Sequence, residues 1–551
     1  MPRSLLLAVL LAACAPSEPP KSSANPGGTL IIATGAEADQ VLPPLVATSV
    51  GKQVSDALFL PIARVGDELN MLGDEGFVGI LADRWEWSAD SLAITFTLDA
   101  AARWHDGHPL RADDVVFSFD RYRSPAVGAD LGPQLAGISS ITADDSLRFT
   151  VRFARRSATQ FYDLVNHLIP FPQHVYGTIH PESLRASAAV RAPIGSGKFR
   201  FARWEAGLRV EVVADTAHWL GRPGLDRVIW TVVPEQTAQL AQLLAGEADL
   251  VEALRGSALD QALADTNLAF LQRPAVDYVV AQFNLRERKS RAREHPLFGD
   301  PRVRHALTAA LDRRVLVQSV LDTLGDAMTS PYLTIAGVRG LAFPPSGRDR
   351  ARALLAEAGF TDSNNDGVVE RNGTPLAFGL NAPSSSTGRV RMQTLIIDSW
   401  KAIGARVTPE LTDNPTMMAR NEAGDFDISL LGFTGSAAAS DVSQPWRSPA
   451  GAQGTNWGGY SNAAFDSQLD SAASSIDPRE ARQHYARAGQ FLIDDAPGIW
   501  LYEARTVLGM HRRIRPAAIR ADAWWAHLDE WSVDPTRLLP RDRMGTAIAP
   551  R

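Results

Sequence analysis

The chain has 551 residues, 45% of them hydrophobic and 21% charged, with a formal net charge of −7. That composition is ordinary for a globular protein, and the length is too great for one hydrophobic core, so two or more lobes are expected. The absence of any basic tract argues against nucleic acid or an anionic membrane surface as partner, and a single cysteine excludes a disulfide framework.

The first segment is Met1-Pro2-Arg3, Ser4 and an apolar run from Leu5 to Ala13. One positive charge before a short apolar stretch is the layout of a secretory signal, and the run is too short to cross a bilayer, which takes about 20 residues. Leu11-Ala12-Ala13-Cys14 has the form of a bacterial lipobox, in which the Cys14 thiol is acylated and becomes the new N-terminus. Ala13-Cys14-Ala15 also meets the small-x-small rule of ordinary signal cleavage, which would release a soluble protein; a third reading leaves Cys14 buried in an uncleaved N-terminus. The lipobox is preferred because the apolar run stops on the cysteine itself. Residues 1–13 are then the signal, and 14–26, rich in Pro and Ser without an apolar period, form a lipidated flexible tether. No later apolar run reaches spanning length, so the membrane would be reached through the lipid anchor only.

Gly27-Gly28 followed by Thr29 to Ala33 predicts a strand leaving a glycine turn. Residues 81–98 predict a hairpin: Trp85 and Trp87 share a face, Ser88-Ala89-Asp90 turns, and Leu92, Ile94, Phe96 and Leu98 alternate. A helix is expected from about Ala112 to Arg121, with Asp113 or Asp114 in its first turn. A helix bearing Leu240, Leu243 and Leu244 closes at Gly246, and a short buried strand follows. Asp300-Pro301 reads as an N-cap with Pro in the first helical position. A helix carrying Ala351, Leu354, Leu355 and Ala358 stops at Gly359. Another, near 391–404, ends at Gly404 before a strand. The mixture predicts α/β lobes with open sheets.

Five ordered stretches carry a resemblance: residues 81–121, 195–230, 300–313 ("DPRVRHALTAALDR"), 351–376 and 456–470 ("NWGGYSNAAFDSQLD"). Together they resemble the family 5 solute-binding proteins of bacterial ABC importers, the peptide and oligopeptide-binding group, from about Gly28 to Tyr502. The resemblance implies a two-lobed periplasmic-binding-protein fold, type II-like, with an extra third domain. By that analogy lobe I takes residues 27–55, 172–275 and 503–551, the extra domain 56–171, and lobe II 276–502. The chain would cross between lobes near Val280–Asn284 and Trp500–Tyr502. It implies a monomer that closes on a small solute or peptide and delivers it to an ABC permease and its ATPase on the periplasmic face of a membrane. No cofactor, no metal and no enzymatic step are expected.

In peptide-binding relatives a carboxylate after a Gly-Trp segment pairs with the ligand ammonium. The matching segment here is Gly432-Phe433-Thr434-Gly435-Ser436, with Phe433 for Trp and Ser436 for Asp. Asp441 substitutes if the loop is longer. Relatives with other cargo (sugars, opines, metal chelates) need no ammonium anchor, so peptide and non-peptide ligands both stay open. Further cleft candidates are Ala36 and Glu37 in the turn after the first strand, Asn456 and Trp457, and Trp446 in the loop "SQPWRSP". A surface turn and core packing are the plain alternatives for these.

Several lookalikes are set aside. Gly195-Ser196-Gly197-Lys198 lacks the remaining residues of a phosphate loop. Asp362 to Gly367 matches the first half of a calcium loop, but Gly373 stands where the bidentate Glu belongs. In His105-Asp106-Gly107-His108 the Asp-Gly turn breaks any helix that would align the two histidines on a metal. Besides the importer receptor, a sensor or chaperone on the same fold and, third, a peptidase are the competing readings.

Overall fold

Two long antiparallel strands, Leu268–Phe283 and Gly498–His511, run through the middle of the molecule and set its plan. The computed structural model describes residues 27–129, 132–288, 290–328, 330–448 and 454–543; Cys14, the signal and the tether lie outside the described residues. Both long strands belong to one mixed sheet of 11 strands. On one side they are followed by Leu250–Leu254, Thr29–Thr34, Arg227–Val232, Arg209–Ala214 and Phe199–Glu205. On the other side come Ile428–Thr434, Ala377–Pro383 and Arg406–Thr412. The architecture is thus the two-lobed α/β arrangement that the alternating segments predicted.

The ladder between the long strands shifts register between Pro274 and Tyr278 and again between Val279 and Val280. Pro274 has no N–H to donate to the ladder. Of the residues expected at the crossing, Val280, Ala281, Gln282 and Phe283 are completely buried. One break lies at Pro274–Tyr278 opposite Glu503–Arg505, and the other at Val279–Val280 opposite Tyr502 and Trp500, beside the expected crossing.

A second sheet is antiparallel, in the order Ala82–Trp87, Ala93–Leu98, Arg148–Phe153, Ile138–Ala143. Trp85 and Trp87 do share a face, and both indole N–H groups donate to Asp74 Oδ2, at 2.8 and 3.0 Å. The apolar core beneath this sheet does not stop at its edges. Phe96, Trp104, Phe119 and Phe161 form one continuous cluster with Leu30, Val54, Val212 and Trp524. The segment 56–171 therefore shares its core with the first lobe. In the second lobe alternate residues feed two cores, Ala281 and Leu430 on one face, Val280 and Leu431 on the other, as a strand's period of two requires.

Local signals act as expected. Asp300 caps the helix Pro301–Ala309 by accepting from Arg302 N. Gly246, Gly359 and Gly404 take left-handed φ of 71°, 85° and 91° just after their helices, a conformation that suits glycine. Leu244 differs: it is 41% exposed, because only Leu240 and Leu243 of its helix face the core. The first lobe is tied to the chain end by charge. Arg513 pairs with Asp249 at 2.6 Å and Asp542 at 2.8 Å, all three side chains at most 1% exposed. Among the described residues no helix is long and apolar enough to cross a membrane.

Candidate ligand cleft

The strand Ile428–Thr434 carries the segment the sequence singled out to the end of the second-lobe sheet. Gly432 pairs with Val279, Phe433 with Tyr278 and Thr434 with Asp277. The Phe433 ring stacks on Tyr278 with centroids 5.4 Å apart, and Thr434 Oγ1 donates to Asp277 Oδ1 at 2.7 Å. The backbone of this strand end is open, with Gly432 and Thr434 exposed and Phe433 half-buried.

Two charges flank it. Arg389 lies in the first turn of the helix Thr387–Lys401, which Ser386 caps. Its guanidinium lies across Gly432, where a Cβ would stand 3.2 Å from Nη1, so glycine leaves the room it occupies. Among the described residues no acceptor is within hydrogen-bond reach of that guanidinium, and burial pushes its pKa down, opposed by the neighbouring Tyr502. Asp441 is the second. The short helix Ala439–Val442 turns it back so that its Oδ2 accepts from Ser436 N at 2.5 Å. The carboxylate reaches the Gly435–Ser436 corner after all, five residues past the expected position. Burial raises its pKa, only partly offset by its Ser436 hydrogen bonds. No cation pairs with it among the described residues. Gly432 and Gly435 are about 10 Å apart along extended chain, so the two charges, neither with a counter-ion among the described residues, bracket the strand end.

Glu503, at a break in the long strand, accepts from Thr334 N and Oγ1 at 2.7 and 3.1 Å, which pins the loop holding Leu333. A cavity of about 180 Å³ opens between residues 68–72, the loop 335–338 and the turn 437–440, with Tyr485 and Arg482 at its side. Arg482 donates to Asn70 Oδ1 at 2.7 Å across this junction, and Leu69 and Met71 pack on Ala437.

The remaining predicted residues are placed differently. Ala36 is exposed in the turn after Thr29–Thr34. Glu37 is engaged within its own lobe, accepting from Trp204 Nε1 at 2.8 Å and Gly207 N at 3.0 Å. Trp446 does not offer a pocket face: it is 1% exposed and packs on Trp500 at 5.3 Å, in space that Gly498 leaves free. Asn456 is a staple, its side chain bonded to Arg447 O and to both backbone groups of Tyr460. Trp457 is half-buried against the second-lobe core. Sequence reasoning missed Arg389, Tyr278 and Glu503. A charged residue in a helix's first turn, or a tyrosine in a strand, carries no local mark of a cleft.

The comparisons agree with this architecture. The family described as bacterial extracellular solute-binding proteins, family 5 Middle, matches residues 76–454. The oligopeptide-binding protein AppA of Bacillus subtilis is 25% identical over 522 residues, covering 92% of this chain and 93% of that protein. The structure of that protein with a nonapeptide aligns with a TM-score of 0.68 at 24% identity, covering 92% of this chain and 99% of the other. Heme-binding protein A of Haemophilus influenzae is 26% identical over 451 residues, covering 78% of each. With a family match over most of its length and the same two-lobed fold, the chain belongs to the bacterial extracellular solute-binding proteins of family 5.

Proposed function

We propose that the protein captures a zwitterionic solute, a short peptide, between its lobes and delivers it to the permease of an ABC importer. One observation carries this reading: a half-buried carboxylate, Asp441, and a half-buried guanidinium, Arg389, neither with a counter-ion among the described residues, sit at the same strand end. A buried charge without a partner is costly. A ligand ammonium at Asp441 and a ligand carboxylate at Arg389 would relieve both costs on the second lobe, and contacts from the first lobe would be added only on closure. Differential affinity for the closed state then drives closure; shifting a 1:99 population to 99:1 takes roughly 10⁴-fold. The peptide-binding names of the relatives support the reading. Haem would use Arg389 through its carboxylates and leave Asp441 unpaired.

Export and anchoring through Cys14 belong to the same proposal and rest on the lipobox. Its check is the mass of the mature N-terminus, with Cys14→Ala expected to release the protein from the membrane.

The decisive test is native mass spectrometry of the soluble chain beginning after Cys14, followed by calorimetry with peptides bearing free or acetylated N-termini. A co-purifying peptide, and loss of binding on acetylation, are expected. A bound sugar, haem or metal chelate would overturn the peptide assignment. Binding indifferent to acetylation would remove the role of Asp441.

A further inference from the structure

We propose that Asp106, His108 and His174 form a binding site for one borderline divalent transition-metal ion, with Zn²⁺ as its probe. The sequence set His108 beside His105, and the Asp106-Gly107 turn excluded that pair. The fold makes a different one. His105 points inward, its ring bonded to Gly195 N at 3.0 Å and Gly197 O at 2.8 Å. The same turn, with Gly107 at φ 89°, folds His108 back onto Asp106, its Nδ1 3.2 Å from Oδ1. The third side chain arrives 68 residues after Asp106: His174 places Nε2 2.6 Å from Asp106 Oδ2. The His108 and His174 rings lie face to face, centroids 4.1 Å apart. One ligand atom from each of the three residues lies within 4.8 Å of the others.

Two further features favour a site over a chance surface cluster. The frame is rigid. Buried Asp114 accepts from Trp104 Nε1 at 3.1 Å and from Gln173 N at 2.8 Å, so one carboxylate fastens both ligand-bearing segments. The ends of the turn are bridged at Arg103 and Pro109. The donor set is also selective. Two imidazoles and one carboxylate suit Zn²⁺, Cu²⁺ or Ni²⁺ rather than Mg²⁺ or Ca²⁺, which take oxygen ligands. The side chains remain reachable, at 24% exposure for Asp106, 31% for His174 and 60% for His108. Three protein ligands leave an open position for water or another group. A bound ion would tie the turn before the helix Ala112–Arg123 to the short helix Gln173–Tyr176.

The test uses tag-free, chelator-stripped protein titrated with Zn²⁺ against a competing dye. Co²⁺ substitution reports imidazole ligation through its visible absorption. One ion per chain is expected. His108→Ala and His174→Gln should each weaken binding at least about tenfold, as loss of one of three ligands requires. Both variants should keep the metal-free melting temperature, since neither side chain is in a core. Absence of one-to-one binding, or binding undiminished in the double variant, overturns the proposal. Asp106→Asn keeps the acceptor for His108 N and should also lose affinity; unchanged affinity there removes Asp106 from the ligand set.

Discussion

The buried ionic knot of the first lobe and the charged strand end of the second use the same residue types to opposite purpose. Arg513 is almost fully enclosed, and every arm is occupied: Asp249, Asp542 and the Thr29 carbonyl take its N–H groups. The two carboxylates are satisfied in turn by Ile31 N, Thr29 N and Arg541. Arg389 and Asp441 are also withdrawn from water, yet neither has a counter-ion among the described residues. Paired burial closes the fold, joining the first strand to the chain end. Unpaired burial leaves a charge that an outside group could complete, which is the basis of the binding role proposed for Arg389 and Asp441.

The comparison can be broken most forcefully at Arg513. Arg513→Ala strands buried Asp542 and leaves Asp249 with Arg541 as its one cation, and urea denaturation should show a loss of about 3–5 kcal/mol. Asp441→Asn should behave oppositely. Its unliganded stability should hold or rise, because burial of its charge is unfavourable, while calorimetry with a free-amine peptide should show about 2–3 kcal/mol less binding. A fall in stability matching that of Arg513→Ala would place Asp441 with the architecture.

Asp163 sharpens the contrast on the stability side. On the helix Gln160–His167, with Thr159 Oγ1 donating to it at 2.7 Å, its carboxyl is pushed up to about 6 by burial. The folded state then holds its proton more tightly than the unfolded chain, so this contribution is full below the ordinary carboxylate range and is lost as pH rises through about 6. Asp163→Asn should flatten that pH dependence and add about 2 kcal/mol at pH 8, read by denaturation at several pH values. The smallest effect concerns binding. Affinity for a free-amine peptide should be constant above the raised pKa of Asp441 and decline as pH falls through it. In Asp441→Asn the same titration should be flat.

Much of the fold was legible because its signals are short-range. Asp300-Pro301 starts a helix, Gly359 and Gly404 end two others, and the alternation from Leu92 to Leu98 makes a strand, each within a few residues of its cause. Resemblance singled out the segment 432–436, and a longer loop was the condition for Asp441, which the fold does set against Ser436. The placement of Trp446 was not. A Trp in a loop bounded by Pro and Ser looks available, but Gly498 and Trp500, distant in sequence, make the space that buries it.

What the sequence by itself determined, then, is the set of elements, their order and the family they spell, since caps, glycine stops and hydrophobic period act over one or two turns of chain. Only the tertiary structure decided which charged and metal-binding side chains meet. Arg513 finds Asp249 and Asp542, Arg389 and Asp441 find no counter-ion among the described residues, and His108 finds His174 rather than His105. A charge's environment is set by whatever the chain brings within a few ångströms of it, and that neighbourhood is assembled by strand order and packing, not by proximity in sequence.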